Sequence, residues 1–308
     1  MIRYILRRLL AAVPTILILI ILSFLIMRLA PGNPFSSDRP MRPEVAANIQ
    51  AKYGLDQPLW LQITDYIWSI LTRFDFGPSF VYPDQTVSDI IAQGFPITFT
   101  YGVLAFGVSV TLGLALGIVA AIRHNTLIDT LAVGTAVGAH LLPGFIVAPL
   151  LVLVFTLWLG WLPGGGWGGL SQPAYLIMPV IALSTVYLAS ITRIARSSML
   201  EVLTSNHIRT ARAKGLPERQ VILKHALRPA LLPVISYLGP TFVSMVTGSV
   251  VIDLYFSTGG IGKFFVDAAL NRDYAVMMGI TILLGTLTIV FNLIVDLLYA
   301  WIDPKIRY

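Results

Sequence analysis

Between Thr130 and Thr192 the sequence carries no Lys, Arg, Asp or Glu, and the run is cut once, at Trp161-Leu162-Pro163-Gly164-Gly165-Gly166-Trp167-Gly168-Gly169. A bilayer core of about 30 Å takes about 20 helical residues, so the run is too long for one helix. Glycine flexibility and proline's missing N–H end helices, and paired Trp side chains suit the membrane interface. The run therefore reads as two spans, near 130 to 159 and 174 to 196. Outward from it, the uncharged stretches Leu9 to Met27, Ile90 to Ile122, Pro229 to Ile252 and Tyr274 to Val295 add spans near 9 to 30, 97 to 122, 230 to 253 and 275 to 301. The predicted fold is an all-α polytopic membrane protein with six transmembrane helices.

Composition agrees. The chain has 308 residues, 56% hydrophobic and 12% charged, with a mean hydropathy of +0.80, whereas a soluble domain is about one quarter charged. A soluble globular enzyme is excluded. The net charge of +6 points to cytoplasmic loops and membrane lipid, and no nucleic acid partner is inferred. With no cysteine there is no disulfide framework, thiolate nucleophile or Cys-ligated metal.

Orientation follows from the basic residues. With the N-terminus inside, fourteen of the twenty-one Lys and Arg face the cytoplasm, among them Arg3, Arg7, Arg8, Arg123, Arg193, Arg196, Lys305 and Arg307. This positive-inside bias makes both termini cytoplasmic. No small-x-small site precedes Pro31, so the first span reads as an uncleaved anchor. The chain divides into a cytoplasmic start and first helix at 1–30, an extracytoplasmic insertion at 31–96, and a five-helix core at 97–308.

The insertion reads as folded. Pro43-Glu44 suits a helix start and Gly54 a stop, while Leu59, Trp60, Ile63, Tyr66, Ile67 and Ile70 repeat at helical spacing. Such a segment either offers a docking or gating surface outside the membrane or caps the bundle.

The most informative segment lies between spans four and five, near 197–229. Asn206 to Lys214 suits a short helix capped by Ser205 or Asn206; Gly215 can take the left-handed stop, and Pro217-Glu218 can open the next helix. Two short helices meeting at a glycine form a compact knob. Ala211 and Ala213 allow close approach, and Arg209, Arg212 and Lys214 supply charge. The knob docks a partner, or it is a basic loop touching anionic lipid.

Arg209-Thr210-Ala211-Arg212-Ala213-Lys214-Gly215-Leu216-Pro217, followed by His225-Ala226-Leu227-Arg228-Pro229, resembles the coupling motif of ABC-importer permeases. The general pattern is E-A-A-x-x-x-G, and Arg209-Thr210-Ala211 in place of Glu-Ala-Ala resembles the oligopeptide and dipeptide branch. Arg28-Leu29-Ala30-Pro31-Gly32-Asn33-Pro34, Lys52-Tyr53-Gly54-Leu55-Asp56-Gln57-Pro58, Asp75-Phe76-Gly77-Pro78-Ser79-Phe80 and the ending Asp303-Pro304-Lys305-Ile306-Arg307-Tyr308 extend the likeness to that branch's B-type subunit. Asp253 stands where that branch usually has Glu, and Gly259 where it usually has Pro.

The resemblance implies a type I importer permease subunit in a bacterial cytoplasmic (inner) membrane. It would form half of a translocation path for oligopeptides with a homologous C-type permease, served by two ATP-binding subunits and an extracytoplasmic peptide-binding protein. Residues Arg209 to Pro217 would couple to one ATPase, with ATP and Mg bound by those partner subunits and no cofactor on this chain.

The residues themselves oppose hydrolysis here. The nearest phosphate-loop candidate, Gly262-Lys263, has Ser257 for the first Gly of G-x-x-x-x-G-K-[ST] and Phe264 for the closing Ser or Thr. No H-E-x-x-H is present, so neither a catalytic nor a metal site is predicted. A secondary transporter or channel working without an ATPase is the alternative that topology allows. Asp296, in the last span, is read as an interhelical lock with an Arg such as Arg193 or as a headgroup-level ion pair. His140, close to Pro143-Gly144, lines the path at a kink or packs as a hydrogen-bonded histidine.

Overall fold

In the computed structural model, backbone is described for residues 2–29, 57–82 and 84–302, and side chains for 9–26, 57–82, 84–136, 138, 142–247, 249–295 and 297. The helix start at Pro43-Glu44 and the stop at Gly54 fall outside these residues. The described elements are α1 (Ile2–Leu29), α2 (Leu59–Arg73), α3 (Val87–Ile122), α4 (Leu127–Leu141), α5 (Gly144–Trp158), α6 (Ala174–Leu203), α7 (Asn206–Ala213), α8 (Glu218–Tyr255), α9 (Ile261–Leu270) and α10 (Tyr274–Ile302). Among the described residues no strand forms.

Five helices, α1, α3, α6, α8 and α10, are long and apolar enough to cross a membrane. The sixth expected span is a broken one. Leu142 is extended, with ψ 110, and interrupts the run between α4 and α5. The proline ring at Pro143 disfavours helical backbone in the residue before it, which accounts for the break. Pro149 lies inside α5, and the helix widens to π geometry over Val152–Trp158, a rare form found mostly as local insertions in α-helices.

Helix α3 starts ten residues before the expected span edge, at Val87 rather than near 97. Thr86 and Asp89 explain the earlier start. Asp89 N–H donates to Thr86 Oγ1 at 3.1 Å and Thr86 N–H donates to Asp89 Oδ2 at 3.0 Å, a reciprocal capping box that satisfies two orphan donors.

The glycine loop after α5 packs back onto the bundle. Gly166 N–H donates to the carbonyl of Phe256, at the end of α8, at 2.6 Å. The two tryptophans do not behave as a pair: Trp161 is exposed, while Trp167 packs against the core cluster around Tyr101, Met178, Met245 and Phe256.

Helices α3 and α6 make the most extensive helix contact among the described residues. A Cβ on Gly113 would lie 2.9 Å from Ile191 Cβ, and one on Gly117 would lie 2.6 Å from the Thr192 carbonyl oxygen. Two glycines one turn apart let the backbones approach, which drives helix association where lipid offers no hydrophobic gain. Helix α8 packs on α6 and α10, and α1 packs on the outside of α10.

Candidate functional site

The segment from Ser205 to Glu218 folds into the knob expected from its spacing. Ser205 occupies the N-cap position of α7, but its hydroxyl donates to Val202 O at 2.6 Å and caps no helix N–H. Side-chain capping by Ser205 is therefore corrected: the hydroxyl turns back onto α6.

The other end closes more completely. Gly215 has φ +78, its N–H donates to Arg212 O at 2.9 Å, and Leu216 N–H donates to Ala211 O at 3.4 Å. This is a Schellman stop, in which a left-handed residue lets two successive N–H groups reach back to otherwise orphaned carbonyls. Pro217 follows with φ −61 and opens α8 at Glu218. Nothing lies within 4 Å of the position a Cβ would take on Gly215. The glycine is there for its backbone angle, not for space.

Inside the knob, Ile208 is fully buried and Ala211 is buried with it, against Ala121 of α3, Met199 of α6, and Val221, Ala226 and Ala230 of α8. Ala211 thus belongs to the chain's own core and is not available for close approach by a partner; Ala213 is exposed. The charges divide likewise. Arg212 pairs with Glu218, Nη2 to Oε1 at 2.6 Å and Nε to Oε2 at 3.1 Å, and that hydrogen-bonded carboxylate pushes the guanidinium pKa up from its ordinary value. Arg209, Thr210, Lys214 and Pro217 present exposed side chains. The outward surface is smaller than the nine-residue motif, and the remainder builds the base that joins it to three span ends.

Three polar joints were not assigned a role by sequence reasoning. Asp129 accepts from Arg196 Nε at 2.6 Å and Nη2 at 2.8 Å, and from Asn125 N–H at 3.0 Å, tying the α3–α4 turn to α6. The His124 ring also meets Asp129, at 3.0 Å. This is an interhelical ion-pair lock among the described residues. The side chains of Asp296 and His140 lie outside them.

Asp253, fully buried near the end of α8, accepts from Thr98 Oγ1 at 2.9 Å and Gly262 N–H at 3.1 Å, and from the hydroxyls of Tyr101 and Thr258. It joins α3 to the turn before α9. In the same turn Gly259 has φ +77, an angle that the proline ring, held near −65°, cannot adopt. Asp273, also fully buried, accepts from Ser79 Oγ at 2.5 Å and Val81 N–H at 3.1 Å and clasps the segment before α3 to the start of α10. For Asp129 and Asp253 the signal was the charge itself, since an acidic residue set in apolar sequence needs partners; Asp273, which follows Asn271-Arg272, carried no such signal.

Comparison with known proteins fits this architecture. Residues 113–308 match the family described as "Binding-protein-dependent transport system inner membrane component", and residues 1–102 match its N-terminal companion. The chain is 54% identical over its full length to the oligopeptide transport system permease protein OppB of Haemophilus influenzae, and equally to that of Escherichia coli K12, in each case over 100% of the relative. It is 42% identical to the dipeptide transport system permease protein DppB of Bacillus subtilis over 98% of that protein. Among solved structures, an inward-facing MetNI methionine ABC transporter matches with a TM-score of 0.57 at 16% identity, over 70% of this chain and 96% of the other. This last likeness concerns the fold. On full-length identity and on the family match across both parts of the sequence, the chain belongs to the binding-protein-dependent transport system inner membrane components, as a permease of the ABC-importer type.

Proposed function

We propose that the chain is one of two permease subunits of an ATP-driven oligopeptide importer. Full-length 54% identity to the two OppB proteins is the observation that carries this reading. A homologous C-type permease would complete the path. Two ATPase subunits would bind ATP and Mg and carry out hydrolysis, and an extracytoplasmic binding protein would deliver peptide. Both termini and the Gly215 knob would face the cytoplasm, and residues 31–96 would lie outside.

The geometry supports a mechanical role for the knob. Ile208 and Ala211 seat it on the ends of α3, α6 and α8, so a displacement of the exposed Arg209, Thr210 and Lys214 reaches three spans at once. The Arg212–Glu218 pair and the Schellman stop keep the two short helices in one shape while they are pushed. Packed interiors shift between discrete arrangements rather than deforming continuously, so such a push favours one arrangement of the bundle over another.

The test is uptake of labelled peptide by the reconstituted assembly. The isolated chain should hydrolyse no ATP, and uptake should cease when the nucleotide-binding lysines of the ATPase subunits are replaced. Uptake that persists on a proton gradient alone would instead make the chain a secondary transporter.

A further inference from the structure

Helix α2 has three faces at 3.6 residues per turn. Ile63, Tyr66, Ile67 and Ile70 face the bundle: Ile70 is 7% exposed, and Tyr66 meets Phe24 of α1 with ring centroids 5.7 Å apart. Gln62, Asp65, Ser69 and Thr72 form a polar face. Between these lies a second face, apolar except for Thr64, whose hydroxyl turns back to donate to Leu61 O at 2.9 Å. Trp60, Trp68 and Leu71 recur there at spacings of eight and three, and they are 67%, 68% and 58% exposed. The bundle leaves two of the chain's six tryptophans uncovered on one short helix.

The level at which α2 is held says what covers them. Its bundle face packs on Ile20 and Phe24 of α1 and on Met278 and Ile282 of α10. Phe24 falls within the last turn of the apolar stretch Leu9–Ile26, and Met278 within about one turn of the start of α10 at Tyr274. Ile20 and Ile282 lie about two turns inside the same ends, so two neighbouring spans of opposite direction hold α2 at the edge of the apolar layer, with its bundle face reaching into it. Trp is enriched at that depth because an indole has an apolar body and one N–H for the headgroups. Helix α1, to which α2 is fastened, itself leaves Ile18, Leu22 and Ile26 exposed, residues that lipid must cover in a spanning helix.

We propose that α2 is an interfacial helix whose Trp60, Trp68 and Leu71 sit in the boundary between lipid headgroups and acyl chains, with Asp65 and Thr72 turned to water. Such a helix needs an apolar face, a polar face and modest overall hydrophobicity, and α2 has all three. The occupant of the second apolar face is the bilayer. This rests on the membrane-spanning reading of α1 and α10, though not on which side of the membrane α2 occupies.

The absence of cysteine permits single spin labels in this chain. W60C, W68C, L71C, D65C and T72C would be labelled in turn within the full transporter in lipid nanodiscs, with partner-subunit cysteines replaced. Collision with oxygen, which concentrates in lipid, is then compared with collision with a water-soluble nickel chelate. Several-fold higher oxygen-to-chelate ratios at 60, 68 and 71 than at 65 and 72 are expected. Chelate-dominated collision at 60, 68 and 71 would put that face in water and overturn the proposal. Exclusion of both reagents there would mean that a partner protein covers the face, and would overturn it equally. Labels at I18C and L22C separate the two levels of the argument: if they too collide mainly with chelate, the spanning reading of α1 has failed, not merely the placement of α2.

Discussion

At the scale of single residues, Gly215 and Asp253 are opposite cases. Gly215 sits in open space and is constrained by φ +78 alone. A side chain with a Cβ pays about 1 to 2 kcal/mol in that region, a β-branched one more, while Asn tolerates it better than most. Gly215→Val should therefore misshape the knob and lower ATPase retention and transport together, and Gly215→Asn should retain more of both. Membrane insertion should survive in each, since the segment lies between spans. Near-normal uptake and subunit retention in both variants would show that the knob is only a basic loop, because neither change removes a charge. Asp253 is instead constrained by its surroundings. Removing its carboxylate in Asp253→Ala orphans Gly262 N–H and the hydroxyls that converge on it, at about 1 to 3 kcal/mol for each group left unpaired. The thermal unfolding midpoint of the purified chain should fall by several degrees, and by less in Asp253→Asn, which retains one acceptor. An unchanged midpoint in Asp253→Ala would refute the joint between α3 and the α9 turn.

At the scale of elements, the α3–α6 contact rests on Gly113 and Gly117. A methyl group at Gly117 would meet the Thr192 carbonyl oxygen at 2.6 Å and Ala195 Cβ at 2.7 Å, and neither can move without shifting α6. Gly117→Ala should cost about 1 to 3 kcal/mol through overpacking. Gly107, nearly three turns earlier on the same helix, has nothing within 4 Å of its Cβ position. Gly107→Ala should leave stability unchanged or raise it by up to about 1 kcal/mol, as expected for replacing glycine inside a helix. Denaturation of the two variants in matched detergent tests the contrast; equal effects would mean that backbone flexibility, not close approach, is what these positions share.

At the scale of the whole molecule, the arrangement implies one topology. Helices α1 and α10 run antiparallel, since Phe24 near the end of the first packs with Met278 near the start of the last. Reporter fusions should score both termini and a site near Arg219 on one side of the membrane and a site near Asp56 on the other, with the first three cytoplasmic by the positive-inside bias. An external score at Arg219 would overturn the six-crossing arrangement.

How much was legible in advance depended on the range of the forces involved. Charge-free runs marked the apolar elements, because the cost of placing charge in lipid is imposed residue by residue. Gly215 and Pro217 announced the turn, because backbone angles are a local property of residue type. The Thr86-x-x-Asp89 capping box was equally local and readable, and it explains why α3 begins ten residues before the expected edge. The break between α4 and α5 has a local cause in Pro143, yet the hydrophobic run around it masked the change. What only the tertiary structure decided is which charges are already spent. Arg212 is held by Glu218, Arg196 by Asp129 across 67 residues of sequence, and Thr98 and Tyr101 by Asp253 across 155 and 152. Composition and spacing list the donors and acceptors a chain carries. Only folding brings distant ones within hydrogen-bond range, and so determines which of the knob's cations remain for a partner and which side chains bind the helices to each other.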